Sequence, residues 1–127
     1  MPSGEPKIWE GFSYPDGVAV DADGNIYVAD TGNRLVKKIG KDGSISILAG
    51  NTPMNRVGIP IDIAVDPDGN VYVTDNGTHR LLKITNGSLV QLVGGGAGYS
   101  GDGGPAANAQ LNQPYGVTVD NSGNIYV

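Results

Sequence analysis

Residues 15–39 read PDGVAVDADGNIYVADTGNRLVKKI, and the same pattern returns at residues 60–84 as PIDIAVDPDGNVYVTDNGTHRLLKI. The two segments are identical at 13 of 25 positions, at a constant offset of 45 residues. A third copy, residues 114–127, reads PYGVTVDNSGNIYV and matches the first at 10 of its 14 positions. Self-similarity at a fixed period of this length indicates a repeat architecture, in which each copy is one supersecondary unit.

Each copy has the composition of short strands joined by tight turns. Runs rich in Val, Ile and Tyr alternate with turn residues, and Gly24 can take the positive φ that a hairpin turn needs. The first copy predicts strands at residues 17–20, 26–30, 35–39 and 44–48. Four antiparallel strands in about 45 residues form one blade of a β-propeller. The sequence therefore predicts an all-β chain built of propeller blades.

Three segments carry a closer resemblance to a known family. They are PDGVAVD at residues 15–21, GNIYVAD at residues 24–30 and GDGGPA at residues 101–106. These residues resemble the NHL repeat family, and the resemblance extends over nearly the whole chain from Tyr14 onward. It implies a propeller of about six blades. It leaves the function open, because the family includes binding scaffolds, extracellular sensor domains and a few lyase-like enzymes.

The repeats predict an incomplete ring within one chain. We expect a first blade at about residues 14–50, a second at about 59–94, half a blade at 113–127, and an N-terminal strand at about 7–12 that completes a neighbouring blade. Isolated blades expose apolar faces and strand edges, which favours association. A homodimer whose two chains together form six blades is the first interpretation. A truncated or engineered propeller fragment that self-assembles is the alternative.

Charge and composition narrow the classes of partner. The net charge of −5 argues against nucleic acid, because neutralising phosphates requires a basic face. One local basic cluster is interpreted as a solvated strand face; its members are Arg34, Lys37, Lys38 and Lys41. The chain has no run of 18 apolar residues, so we expect no membrane-spanning helix. It also has no cysteine, which excludes disulfides, thiolate catalysis and thiolate metal sites.

The candidate binding site lies on what we call the loop face. This is the end of the blades that carries the turns between second and third strands (residues 30–34 and 75–80) and the connections at residues 51–59 and 95–113. Loops at such an end commonly carry ligand sites. The candidate ligand-binding residues are Asp16, Arg34, Asp62, His79, Arg80 and Tyr115. The expected ligand is a protein, a peptide or a glycan.

Two of these residues have competing interpretations. Asp62 stands where the repeat has Gly, and with Asp16 and Tyr115 it forms either an acidic and aromatic ligand ring or, as we favour, simple surface drift. His79 is the only histidine, and His79-Arg80 matches a pair common in the family's turn after the second strand. Enzyme-like members of the family hold a metal with several histidines, so we interpret His79 as a structural turn residue. No metal and no cofactor are expected.

Two further spellings resemble ligand-binding motifs but lack their context. Residues 96–101, GAGYSG, match G-x-G-x-x-G, yet Gly103-Gly104-Pro105 follows where the dinucleotide motif needs a helix. The Asp pairs at 21 and 23 and at 66 and 68 resemble calcium loops, but the Glu at the twelfth position is missing. We therefore expect a Gly-rich loop in the first case and turn-forming aspartates in the second.

No nucleophile–base pair emerges from the sequence, since no G-x-S-x-G elbow occurs and no histidine lies near a serine. The sequence therefore predicts a non-catalytic scaffold or binding module. A self-assembling fragment without an independent function is the first alternative. A metal-dependent lyase-like or hydrolase-like enzyme is the second.

Overall fold

The computed structural model describes residues 11–53, 56–94 and 110–127. Two four-stranded antiparallel sheets and one two-stranded sheet follow one another along the chain. The first sheet has the strand order β1-β2-β3-β4, the second β5-β6-β7-β8, and the third pairs β9 with β10. The strands are β1 Pro15–Val20, β2 Ile26–Asp30, β3 Leu35–Ile39, β4 Ile45–Ala49, β5 Pro60–Val65, β6 Val71–Asp75, β7 Arg80–Thr85, β8 Ser88–Gly94, β9 Thr118–Val119 and β10 Ile125–Tyr126. The prediction of an all-β chain with four-stranded antiparallel sheets is confirmed.

The strands lie close to their predicted positions. β2 and β3 have the predicted bounds, β1 begins two residues earlier, and β4 is shifted by one residue. The turn at Thr31–Asn33 is a single 3-10 turn. Residues 7–10 of the expected N-terminal strand lie outside the described residues, and Gly11 and Phe12 are not in a strand. The segment 95–109, which includes the G-x-G-x-x-G spelling and the GDGGPA segment, also lies outside them.

Each sheet has two faces, which we call face A and face B. In the first sheet, cross-strand register places Val18, Val28, Lys37 and Ile47 together on face A. Tyr27 and Val36 lie on face B. Face B of the first sheet packs on face A of the second in one buried apolar cluster. The members of that cluster are Tyr27, Val36, Ala49, Val57, Ile63, Val71, Val73, Leu82 and Ile84.

The third sheet packs on the second in the same way. Tyr72 and Leu81, on face B of the second sheet, form a buried cluster with Val117, joined by Val119 and Ile125. The three sheets are therefore stacked A-to-B in sequence order, as successive propeller blades are. Burial of this apolar surface is the main favourable term that holds the blades together.

Side-chain hydrogen bonds connect each blade to the chain at the start of the next repeat, from the second strand or the turn that follows it. Thr31 Oγ1 donates to the carbonyl of Pro60 at 2.7 Å, and Thr74 Oγ1 donates to the carbonyl of Tyr115, also at 2.7 Å. Asn76, the counterpart of Thr31 in the second repeat, makes the equivalent but longer hydrogen bond to the carbonyl of Pro114, at 3.4 Å.

Among the described residues, no helix is long and apolar enough to cross a membrane.

Candidate functional site on the loop face

An aspartate at the end of each second strand organises the loop face. Asp30 accepts hydrogen bonds from the backbone N–H of Ser13 at 2.7 Å and from Asn33 Nδ2 at 2.8 Å, and its Oδ2 lies 2.8 Å from Lys37 Nζ. Burial alone would raise the pKa of Asp30, but Lys37 and the two hydrogen bonds hold it below its ordinary value. Asp30 is thus an ionised, fully paired carboxylate that anchors the chain leading into the first blade.

Asp75 takes the same position in the second blade with a different cation. It accepts hydrogen bonds from the backbone N–H groups of Gly58 at 2.8 Å and Ile59 at 2.9 Å, and it pairs with an Arg80 guanidinium nitrogen at 3.3 Å. Burial raises the pKa of Asp75, yet these donors outweigh burial and keep it lowered. Arg80 Nε also donates to Thr78 Oγ1 at 2.6 Å. The predicted ligand residue Arg80 is therefore engaged in holding the connection between the blades.

The basic cluster predicted as a solvated strand face is wrong at Lys37. This lysine is buried on face A, paired with Asp30, bonded to the carbonyl of Gly11 and stacked 4.5 Å from the centre of the Phe12 ring. A buried ammonium is tolerated because the carboxylate and carbonyl satisfy it. Arg34 and Lys41 are exposed, as the interpretation expected.

The three candidates at the inner-strand ends are placed differently from one another. Asp16 is exposed, with its Oδ2 3.1 Å from Thr31 Oγ1, and the Tyr115 side chain is exposed. Asp62 is half-buried, and its Oδ2 accepts a hydrogen bond from the backbone N–H of Val117 at 3.0 Å. Asp62 is therefore more than surface drift, because it connects the inner strand of the second blade to that of the third sheet.

His79 lies in the equivalent position to Arg34, and both residues have a left-handed backbone with φ 57°. His79 Nδ1 accepts a hydrogen bond from the backbone N–H of Gln113 at 3.0 Å. The contact is in keeping with the structural turn role inferred from the sequence.

Residues 11–53, 56–94 and 110–127 contain no group of three or more His, Asp or Glu side chains placed to share a metal ion.

The aspartates with calcium-like spacing form a hydrogen-bonded turn. Asp21 Oδ1 accepts from the backbone N–H groups of Asp23 at 2.9 Å and Asn25 at 3.0 Å, and Oδ2 accepts from Asn25 Nδ2 and the Tyr27 hydroxyl. The same set of bonds recurs around Asp66 and Asp120. Hydrogen bonding from Asn25 lowers the pKa of Asp21 to about 2. These carboxylates are therefore saturated by their own turns.

A cleft brings together side chains from both blades on the loop face. It has a volume of about 440 Å³ and is lined by Asn33, Arg34, Gly50, Arg56, Val57, Gly58, Thr78 and Arg80. Two of the six predicted residues, Arg34 and Arg80, therefore meet in one place. Asp16, Asp62, His79 and Tyr115 do not line this cleft.

Arg56 and the two anchoring aspartates, Asp30 and Asp75, were not among the ligand-binding residues predicted from the sequence. Arg56 lies in the connection at residues 51–59, which was assigned to the loop face only as a whole. Arg56 could have been identified from the sequence, because Arg34, Arg56 and Arg80 are the three arginines of the chain and all fall in segments predicted for the loop face. Asp30 and Asp75 were detectable because they are identical between repeats at a strand end.

Family models and solved structures agree with this architecture. A model described as "NHL repeat" matches residues 12–39 and 58–84, and one described as "Beta-propeller repeat" matches residues 90–127. The chain is a partial NHL-type β-propeller. No curated protein matches this NHL segment significantly in sequence.

Solved structures similar to the NHL segment are larger propellers. A virginiamycin B lyase from Staphylococcus aureus is 23% identical with a TM-score of 0.62, over 87% of this chain and 33% of that one. A streptogramin B lyase is 24% identical with a TM-score of 0.63, over 95% and 35%. A protein of unknown function from Bacteroides thetaiotaomicron is 25% identical with a TM-score of 0.68, over 81% and 29%. The segment thus spans about a third of their length, and the likeness to the two lyases supports the fold alone.

Proposed function

We propose that this NHL segment is a non-catalytic scaffold that closes a propeller ring with a second copy of itself and binds a protein, peptide or glycan on its loop face. The observation that carries the scaffold role is the use made of the polar side chains there. Asp75 and Arg80 fix the connection between the blades, and Asp62 and His79 hold the backbone of the third sheet and the residues leading into it. Because these four side chains hold the backbone of the loop face in place, we assign them a role in positioning a binding surface and not in catalysis.

Ring closure is supported by exposed apolar side chains at the two edge strands of face A in the first blade, on either side of the buried Val28 and Lys37. Val18 and Val20, on β1, are 62% and 60% exposed, and Ile45 and Ile47 are exposed on β4, at the opposite edge of the same face. In the second blade, Ile63 occupies the position of Val18 and is only 4% exposed, because face B of the first blade covers it. The chain therefore contains its own example of how face A is covered, which is by face B of another blade.

The third sheet offers a face B of the required kind. Tyr126 lies at the position of Tyr27 and Tyr72 in the repeat. Tyr27 and Tyr72 are 5% and 4% exposed, each buried in the cluster that its face B forms with the next sheet, whereas Tyr126 is 54% exposed. A second copy that places its first-blade face A on Tyr126 would bury both surfaces. Two such interfaces related by a two-fold axis close a ring of two chains.

An interface variant tests this arrangement. Val18→Asp places a charge on face A, and Ser88→Asp adds the same charge at an exposed position in the hairpin of the second blade. We expect Val18→Asp to shift the protein to the monomeric mass on light scattering and Ser88→Asp to leave the mass unchanged, because burying an unpaired carboxylate is costly. Equal masses for Val18→Asp and wild type, with both folded by circular dichroism, would refute the proposed interface.

The non-catalytic role is tested by metal analysis of the purified protein. The proposal predicts far less than one equivalent of any divalent metal per chain after dialysis without chelator. One equivalent of tightly held metal, together with a measurable lyase or hydrolase activity that is lost when the metal is removed, would support the enzyme alternative instead of the scaffold. The measurement is elemental analysis by mass spectrometry alongside the activity assay.

A further inference from the structure

All three arginines of the chain line the cleft between the first and second blades. Arg34 follows the 3-10 turn after β2, Arg56 lies in the connection between blades, and Arg80 opens β7. The rest of the wall is formed by Asn33, Thr78 and residues of the connection, and the cleft holds about 440 Å³. Residues separated by more than 40 positions are thus brought to one concave surface of the loop face.

The cleft carries unbalanced positive charge in a chain whose net charge is −5. No Asp or Glu lines it. Asp75 balances Arg80 from behind the wall, where it is fully buried. Arg34 and Arg56 are exposed, and no carboxylate of the described residues pairs with either. Two guanidinium charges therefore remain for a ligand, beside a third that is fixed in place.

The groups present match an oxyanion in geometry as well as in charge. Arginine presents a planar fork of N–H donors that binds carboxylate or phosphate with two parallel hydrogen bonds. Arg80 is oriented by Thr78 through its Nε and by Asp75 through a terminal nitrogen. Thr78 Oγ1 accepts this hydrogen bond from Arg80, and Thr78 also lines the cleft. The Arg80 guanidinium, held in this way, loses little conformational freedom on binding.

We propose that this cleft binds carboxylate groups of an acidic peptide segment, with Arg34 and Arg56 as the contacting cations and Arg80 as the positioned third. The inference rests on the proposed scaffold function and names the ligand class for its loop face. A short peptide segment fits better than a nucleic acid because the two unbalanced cations of the cleft are too few to follow an extended phosphate backbone. A small cleft with two unbalanced cations instead suits one or two carboxylates.

The test measures fluorescence polarisation of fluorescein-labelled hexaglutamate with the wild-type protein and matched variants. Arg34→Ala with Arg56→Ala should raise the Kd by at least about tenfold, since two charge-assisted contacts are lost. Lys41→Ala with Lys83→Ala removes the same charge elsewhere and should change the Kd by less than about twofold. The pair Arg34→Lys and Arg56→Lys should give an intermediate Kd, because charge is kept and the bidentate fork is lost.

The outcomes separate this proposal from its alternatives. Equal weakening by the arginine and the lysine pairs would overturn the site, because binding would then follow overall charge. Displacement of hexaglutamate by oligouridylate at lower concentration than by unlabelled hexaglutamate would assign the cleft to nucleic acid. Displacement by orthophosphate at comparable concentration would assign it to free phosphate. A dimeric protein that fails to bind hexaglutamate would overturn the peptide ligand while leaving the scaffold and its ring closure intact.

Discussion

At the scale of single residues, the aspartate that opens each turn between first and second strands joins three parts of its blade. Asp66 accepts hydrogen bonds from two backbone N–H groups of its turn, from the Asn70 side chain and from the buried Tyr72 hydroxyl. Burial alone would raise the pKa of Asp66, but these bonds together lower it. One side chain therefore fixes both the turn and the tyrosine that packs between sheets.

Asp66→Asn is expected to reduce the free energy of unfolding by about 1–2 kcal/mol, because the amide replaces an acceptor with a donor facing Asn70 and Tyr72. Asp68→Asn, an exposed change in the same turn, removes the same charge and serves as control. Chemical denaturation of both variants measures the difference. Equal stability of the two would show that the bonds of Asp66 contribute nothing beyond charge.

The same turns predict a dependence of stability on pH. The folded pKa of Asp21 lies near 2, below its ordinary 3.8, so its contribution is present above pH 3.8 and is lost as the pH falls toward 2. Burial and the hydrogen bond to the aspartate raise the pKa of Tyr27 and of Tyr72 to about 12. Their contribution is present below pH 10.0 and is lost as the pH rises toward 12. Thermal melting at stepped pH should show both losses, and a Tyr27→Phe, Tyr72→Phe variant should lack the alkaline one.

Gly17 is required where the innermost strands approach. A Cβ at Gly17 would lie 2.6 Å from the Asp62 Cα and the Ile61 carbonyl, which are backbone atoms that cannot give way cheaply. Gly116, at the same position of the third repeat, has only Asp62 Oδ2 at 3.9 Å. Gly17→Ala should cost about 2 kcal/mol through strain between the blades, and Gly116→Ala clearly less. Similar melting temperatures for the two variants would contradict the close packing at Gly17.

At the scale of elements, the offset of 45 residues was enough to place the strands. Turn residues and β-branched runs predicted β2 and β3 at their observed bounds, because hairpin chemistry is local. The burial of Lys37 was not predictable in this way. Leu82 stands at its position in the second blade, and a lysine is accepted in the first only because Asp30 and the Gly11 carbonyl satisfy it.

The candidate site was predicted in part for a similar reason. Arg34 and Arg80 were assigned to the right end of the blades, because the turn after each second strand is a local feature. The partners of Asp62 and His79 lie in the third repeat and the residues before it, and Arg56 reaches the cleft only through the path of the connection. These placements depend on how blades pack, which no single repeat encodes.

The connection between the first two blades depends on Asp75. Asp75→Asn is expected to lower the free energy of unfolding by about 3 kcal/mol, because one of the backbone N–H groups of Gly58 and Ile59 then faces the amide NH2, which is a donor, and Arg80 loses its counter-charge. Hydrogen exchange at Gly58 and Ile59 should accelerate in a variant that is still folded. Unchanged exchange there would mean that the carboxylate does not hold the connection.

At the scale of the whole molecule, the repeats form two four-stranded blades and a two-stranded sheet stacked in one direction. Val18 on face A of the first blade is exposed, whereas its counterpart Ile63 is buried in the second blade. Tyr126 is likewise exposed, whereas its counterparts Tyr27 and Tyr72 are buried. We infer that these two surfaces meet in the assembled protein, so that two chains complete one ring. The peptide cleft between blades would then occur twice on one loop face.

The absolute mass of the wild-type protein in solution tests ring closure most directly. Light scattering behind a size-exclusion column, over a wide dilution series, should give twice 13.0 kDa at every concentration where the protein is detected. A constant mass of 13.0 kDa across the series would contradict the account, because both exposed faces would then be stable in water without a partner.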